Sequence, residues 1–562
     1  MIEPPPKQSP SSELPDGRVY ELVSPANKHG SEAGADVRVA GSSWLTVKPS
    51  LASPDGNAVA FGGTGPAAEV NASGLSEYFV AERTVGGWKS RSTTARMLRL
   101  NEITAAVDHP EYLDYSRDLS HLAYWQKRGS LPEGPFGSAA NVYLMGSNPL
   151  EAPTWLLRSV ASPSMEEYEH EHSGAGVTVL GMTPDASVVY FAYGKHLFPV
   201  DETRVGWGIY ESRFGAVSEV GVLPDGSVPN GGALPAASAA SIEGKSEPSR
   251  IDPASFDNQV SEDGRRLFFV AAGQLYVHEL AADGSERTVL VSASQLPGHM
   301  GEASADGASL FENRTRGLEN DEFSKKENPP TYAYASPDGS HVVFQSVDHL
   351  TTAAPADGSL KVYDFDVDTE TLEYLPGVSL GGVVTSAKDG SSFLFVDGTN
   401  ASPELKLWTA GPSGGDVRPI VQLSAGAFVG PGRTVAGGSV IVFQAQGPVP
   451  GVANSADEQI YRYDVRSDGL TCVSCPPAGA LRSGNAYLSA QDQYPGGSVG
   501  PVNESRGVSS DGQRVFFATP DALVSRDVNG DFDTYEWENG DVFLISSGAG
   551  TDYSPFLDNG ES

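Results

Sequence analysis

"SPDGSHVVF", residues 336–344, is a polar turn followed by a short apolar strand, and the chain repeats it with small changes. Close copies are "SPDGNAVAF" from Ser53, "SEDGRRLFF" from Ser261 and "SSDGQRVFF" from Ser509. With the turn aspartate as reference, the series runs through Asp55, Asp118, Asp185, Asp263, Asp338, Asp389 and Asp511. Four residues later stands Val59, Leu122, Val189, Leu267, Val342, Phe393 or Val515, and six later Phe61, Tyr124, Phe191, Phe269, Phe344, Phe395 or Phe517. The residue between them is apolar too: Ala60, Ala123, Tyr190, Phe268, Val343, Leu394 or Phe516. A strand with one wet face alternates, so this one is expected to be buried on both faces.

The turn has its own chemistry. Gly56, Gly264, Gly339, Gly390 and Gly512 follow the aspartate, where a tight reversal calls for positive φ. Serine and aspartate side chains bond the turn's own amides. Asp118 and Asp185 lack the glycine, which predicts a different turn at those two places.

After each copy comes an aromatic residue inside a second short strand: Tyr78, Tyr143, Tyr210, Tyr276, Tyr363, Trp408, Tyr461 and Tyr535. An outer strand such as "TVLVS", "PIVQL" or "VFLIS" then closes the unit. Each repeat is thus a lead-in strand, the doubly buried strand, the aromatic strand and an outer one. The long interval from Asp389 to Asp511 holds two repeats, and "GGSVIVFQAQ" around Ser439 with Tyr461 supplies the second. "SADGASLF" (304–311) lacks an aromatic strand before the next copy and reads as a decorated connection. Such units stack on neighbours to bury both faces, which predicts an all-β fold: a β-propeller of seven or eight four-stranded blades. The repeat is too short for a row of separate β-sandwiches. The expected division is a Pro/Ser-rich linker over 1–16 and a single propeller domain over 17–562.

The S-x-D-G turn, the V-x-F strand and the following tyrosine strand resemble the TolB-type, WD-repeat-like propeller repeats of bacterial envelope proteins, over roughly residues 50–547. "LPDGRVYELVSP" near the start is similar to the opening of large secreted actinobacterial proteins that carry such propellers. The resemblance implies a propeller in an extracytoplasmic setting: secreted, periplasmic or at the cell surface. TolB also carries an N-terminal α/β domain for which this chain has no room, so its partner binding does not carry over.

The formal charge is −35, from 72 acidic against 37 basic residues. Such a surface repels phosphate backbones and anionic lipid, which argues against nucleic-acid binding and favours cations and basic partners. No apolar run approaches the roughly 20 residues of a membrane-spanning helix. "MIEPPPKQSPSSELPDG" has no apolar core of a signal peptide. At the ends, "GRVYELVS" (17–24) reads as an outer strand near the ring seam, with "TDYSPFLDNGES" starting a further blade beside it.

Catalytic signatures are sparse. G-x-S-x-G occurs at Gly411–Gly415 and Gly496–Gly500, in glycine-rich connections without the strand-to-helix turn a nucleophile needs. His170 and His172 in "EEYEHEHSG" lack the H-E-x-x-H spacing and a third ligand, and read as a solvated acidic loop. The sialidase-type loop, with its tryptophan and arginine cluster, is missing. Asp527, Asn529, Asp531 and Asp533 alternate around Gly530, a pattern that suits a local structural Ca²⁺ or, equally in kind, a hairpin loop whose aspartates cap turns. Cys472 and Cys475 form a C-x-x-C with no helix following and no further cysteine to build a zinc site, leaving a short-range disulfide or a pair of free thiols. Export favours the disulfide. The long connections at 224–256, 312–332 and 476–507 are where a rigid scaffold would carry binding. The expected function is a non-enzymatic exported scaffold that binds a protein, peptide or glycan by a loop face or the central channel. The alternative is a glycan hydrolase or lyase with acids at the channel mouth.

Overall fold

A computed structural model of the chain describes residues 21–25, 33–34, 51–64, 76–92, 111–126, 141–146, 154–156, 177–194, 197–198, 207–213, 215–236, 258–303, 330–397, 402–411, 414–427, 429–447, 449, 457–477, 484–488 and 506–549. The expected linker (1–16), the decorated connection at 304–311, His170, His172, the second G-x-S-x-G and the C-terminal tail lie outside these residues.

The described strands form eight consecutive antiparallel sheets, the eight blades of a β-propeller. Blade five shows the plan: Thr331–Ala335 innermost, then His341–Ser346, Lys361–Asp366 and Thr371–Tyr374 outermost. Its second strand is the V-x-F strand read from the sequence. In blade three the equivalent strand, Val188–Tyr193, is buried at every position. Odd and even residues face different neighbours. Val189, Phe191 and Tyr193 pack on blade two through Ala123 and Val142, while Val188, Tyr190 and Ala192 pack on blade four through Leu267 and Phe269. That explains the unbroken apolar run. Each blade supplies half of two cores and completes neither alone.

The phenylalanine of the second strand and the aromatic of the third meet across the ladder. Phe191 stacks on Tyr210 at 5.7 Å between centroids, Phe344 on Tyr363 at 5.5 Å and Phe443 on Tyr461 at 5.6 Å. Two blades depart from the sequence reading. In blade one the partner of Phe61 is Phe79, and Tyr78 stands across from Gly62. In blade six Trp408 stacks on Phe393, while Lys406 faces Phe395 and pairs with Asp397 and Glu404.

The S-x-D-G turn closes the same way in each full copy. In blade five Ser336 Oγ donates to Asp338 Oδ1 (2.8 Å) and accepts from His341 N (3.0 Å), while Asp338 Oδ1 takes Ser340 N (2.9 Å). In blade one these bonds hold the Asp55 carboxyl down at about 2, Ser53 contributing most. The two turns without glycine do not differ as expected. Leu119 and Ala186 adopt φ of 60° and 54° and close the same backbone bond to Ser116 and Thr183. Leu119 tolerates this because its side chain fills the core between blades one and two, beside Ala58, Ala60 and Val80.

Elsewhere the glycine has a second reason. A Cβ on Gly390 would stand 2.6 Å from His341 Cβ in the preceding blade, whereas one on Gly56 meets nothing within 4 Å. The turn of one blade thus nests against the next. His341 also marks this junction by bonding Asp364 (Nδ1 to Oδ2, 2.9 Å).

The ring closes between blades eight and one, where Arg506 donates to Ala52 O. The expected outer strand at 17–24 is not present in the described part: residues 21–25 are not a strand. Among the described residues, Glu21 meets Arg83 and Trp88, and Val23 packs on Phe61 and Phe79 of blade one. Residues 21–25 thus rest on blade one through Glu21 and Val23 without forming a strand.

Two outcomes follow. Gly56→Ala and Gly390→Ala both put alanine at positive φ, costing about 1 kcal/mol each, but only Gly390→Ala meets a neighbour, so urea denaturation should show it to be the more destabilising by at least ~1 kcal/mol. His341, which burial alone would pull down, is raised from 6.5 to about 9 by its bond to Asp364 and by the charge of that carboxylate. The histidine's contribution is present below pH 6.5 and is lost as pH rises through about 9, while burial raises the Asp364 carboxyl, so the pair also weakens once acid protonates that group. Asp364→Asn should remove that alkaline loss of stability in pH-dependent melting.

Candidate binding face and channel mouth

Antiparallel blades sort their connections by face. The turns from first to second and from third to fourth strand share one face of the ring, and the remaining connections, including every crossing between blades, share the other.

The turn face is tied together. Glu262 N donates to Pro337 O (2.7 Å), Asp338 N to Lys388 O (3.2 Å) and Ala436 N to Ser510 O (3.0 Å), linking turns of neighbouring blades. Side chains add a longer link. Glu262 Oε2 of blade four accepts from Arg117 Nη1 of blade two (3.1 Å) and Lys388 Nζ of blade six (2.5 Å). Blades two, four and six are not neighbours, so this bridge runs across the inner end of the ring at the channel mouth. Burial would raise the Glu262 carboxyl, but the Lys388 bond and the Arg117 charge outweigh it and hold the group below its usual range. With two cations against one carboxylate, the bridge keeps one positive charge.

The opposite face carries the crossings between blades. The innermost strand of a blade holds one extra residue, a bulge, five places before the turn aspartate: Leu113, Leu180, Ala333 and Val384 in blades two, three, five and six. In blades one, four and eight the innermost strand is instead split at this place. The halves are Ala33–Gly34 and Leu51–Ala52 in blade one, Ala233–Pro235 and Val260 in blade four, and Tyr487 and Val508 in blade eight. The intervening 35–50, 237–257 and 489–505 lie outside the described residues. Two of the three connections singled out from the sequence, 224–256 and 476–507, therefore enter the strand nearest the channel. In the third, 312–332, only its last residues are described, where they begin the innermost strand of blade five.

The cysteine pair and the Asp527–Asp533 loop also fall on this face. Cys472 ends the outer strand of blade seven and is bonded to Cys475, with Cα atoms 5.6 Å apart. Between them, Ser474 Oγ donates to Gln459 Oε1 (2.7 Å) and accepts from Ile460 N (2.8 Å). The same serine recurs in blade four, where Ser292 Oγ donates to Gln274 (2.7 Å), and in blade eight, where Ser546 donates to Asp533. Gln274, Gln459 and Asp533 each stand two residues before the stacked tyrosine. The sequence signal was there, a polar residue at that offset and a serine just past the outer strand, and it identifies Asp533 as a member of a structural series.

Asp527 has a comparable task. It accepts from the hydroxyl of Tyr535, which also takes Leu523 N (3.3 Å) and reaches Asp521 O (3.2 Å). Burial pushes the Asp527 carboxyl up, and the nearby Asp533 charge adds to the rise. Asn529 Oδ1 caps Asp531 N (3.0 Å), and Asp531 itself is exposed. The carboxylates of this loop do not gather three ligand atoms within 4.8 Å of one another. At Gly411–Gly415 a hairpin joins two strands, Glu404–Thr409 and Asp416–Gln422, so a strand follows where a nucleophile elbow needs a helix. Among the described residues no helix is long and apolar enough to cross a membrane.

Asp533→Ala should cost about 1–3 kcal/mol by stranding Ser546 and the buried backbone around it, while Asp531→Ala should stay within ~0.5 kcal/mol; chemical denaturation of the two variants, with and without millimolar Ca²⁺, checks both.

No family model matches the chain, and no curated protein matches it in sequence. Solved structures similar to it include a TolB from Agrobacterium tumefaciens, at 15% identity over 51% of this chain and 78% of that one, with a TM-score of 0.25. An oligogalacturonate lyase in complex with manganese matches at 14% identity over 79% and 86% of the two chains, with a TM-score of 0.32. The dipeptidyl peptidase 4 of Porphyromonas gingivalis matches at 11% identity over 88% of this chain and 52% of its own, with a TM-score of 0.37. These likenesses concern fold alone and bear on no site. The similarity to TolB-type propellers is one of architecture, and it is distant.

Proposed function

We propose that the chain is a non-enzymatic, extracytoplasmic propeller scaffold that binds a protein, peptide or glycan through the face carrying its long connections. One observation carries this reading: the two faces of the ring are built differently. One is knitted by backbone bonds between turns and bridged by Arg117, Glu262 and Lys388. The other receives the blade crossings, and the innermost strands of blades one, four and eight are each split within the strand. Variable segments on a rigid frame are the usual carriers of recognition. The net charge of −35 favours a basic or cation-bearing ligand. The Cys472–Cys475 bond supports an oxidising compartment, where such a pair persists.

The test uses the intact, tag-free chain on peptide and glycan arrays, with bound ligands confirmed by calorimetry. Replacing 489–505 by a short Gly/Ser linker should abolish or weaken binding by at least tenfold, while Arg117→Gln on the turn face should leave it unchanged. The opposite pattern would place recognition on the turn face, and release of a cleaved product from a bound glycan would assign the lyase or hydrolase reading. Titration of unreduced, denatured protein should find no free thiol, and two after reduction; two at the outset would remove the support for export.

A further inference from the structure

Three blades carry a buried acid one residue after the stacked tyrosine, on the side turned to the next blade: Glu211, Asp364 and Glu536. Each meets a base of its own blade: Arg213, His341 and Arg514. Between blades three and four this arrangement is larger. Glu211 is joined there by His278 and Glu286, both from blade four. One ligand atom from each of the three lies within 4.8 Å of the other two, and no other group of three His, Cys, Asp or Glu among the described residues does this.

The cluster has unspent valence. His278 is 2% exposed and its Nε2 has no hydrogen-bond partner; Glu211 is 1% exposed and its Oε2 has none either. Buried polar atoms without partners are costly and uncommon in a folded protein. Arg213 sits beside them, its Nη2 3.0 Å from Glu211 Oε1 and bonded to Glu286, so a cation already occupies the gap between the two carboxylates. It leaves the imidazole Nε2 without a hydrogen-bond partner. With one guanidinium against two carboxylates, the cluster also keeps a net negative charge.

We propose that Glu211, His278 and Glu286 form a site for one divalent transition-metal cation of the Zn²⁺ class, fastening blade three to blade four. One imidazole with two carboxylates suits this class, whereas Ca²⁺ and Mg²⁺ take oxygen ligands throughout. Ligand atoms around a tetrahedral ion of this kind stand about 3.4 Å apart, so a small contraction of the cluster suffices. A bound ion would satisfy Glu211 and His278 together. Arg213, about a quarter exposed, has solvent to turn towards when displaced.

The probe is Zn²⁺ itself, titrated calorimetrically into the tag-free full chain after chelator treatment, with melting followed in parallel. The expected result is one ion per chain and a raised melting temperature, because an ion that binds only the folded ring stabilises it. Glu286→Gln, at an exposed position, and His278→Ala should each weaken binding at least tenfold, the lower end of what loss of a supporting residue costs at metal sites. Because His278→Ala opens a buried cavity, X-ray absorption of the Co²⁺-loaded wild type gives a second readout and should show one imidazole in the coordination shell. No one-to-one binding at 1 mM Zn²⁺, unchanged affinity in Glu286→Gln, or a Co²⁺ shell without imidazole would each overturn the proposal.

Discussion

A strand that is apolar on both faces cannot be satisfied within its own sheet. The second strand of every blade is such a strand, and the rest of the architecture follows from finding it two partners. In blade three, Phe191 looks back to blade two and Tyr190 forward to blade four, so removing either neighbour would expose half of the blade's apolar surface. A linear stack leaves two blades half covered, whereas a ring leaves none. The contact of Arg506 with Ala52 at the seam is the geometric completion of that requirement.

The turn obeys the same demand for closeness. It lies where adjacent blades approach most tightly, and its residues are fixed by fit to the neighbour as well as by backbone conformation. The pressure can be met in two ways. Gly390 removes the side chain and lets His341 come in, while Leu119 keeps a side chain, accepts a positive φ, and uses it to fill the junction with blade one. The aromatic stacks contribute in the same direction, since each locks the second strand to the third and presents a flat, filled surface to the blade before it.

Most of this fold was legible because it is repeated. Val342 and Phe344, read against six sister positions, disclose a buried strand that a single copy would not. Offsets were harder. Tyr78 was the evident aromatic of blade one, yet register puts Phe79 opposite Phe61, and a slip of one residue exchanges the two faces of a strand. The turns at Asp118 and Asp185 were misjudged because glycine was read as a necessity, when a buried leucine or alanine can offset the strain. The candidate sites were less readable for a different reason. Glu211, His278 and Glu286 stand far apart in sequence on two blades, and Arg117, Glu262 and Lys388 on three, and only the closing of the ring brings either set together. Asp533 was visible as an acid, but its kinship with Gln274 and Gln459 emerges only when the serine beyond each outer strand is placed beside it.

The bulge in the innermost strand has a consequence for how such a chain can change. At Leu113, Leu180, Ala333 and Val384 the ladder is already interrupted, so lengthening the chain there breaks no further bond of the sheet. The entropic penalty of a longer excursion grows only with the logarithm of its length, about 0.6 kcal/mol per doubling. Blades one, four and eight have used this opening, and blades two, three, five and six have kept it shut. Each of these seven blades therefore has a port in its innermost strand through which new sequence can be admitted while the stacked cores stay as they are.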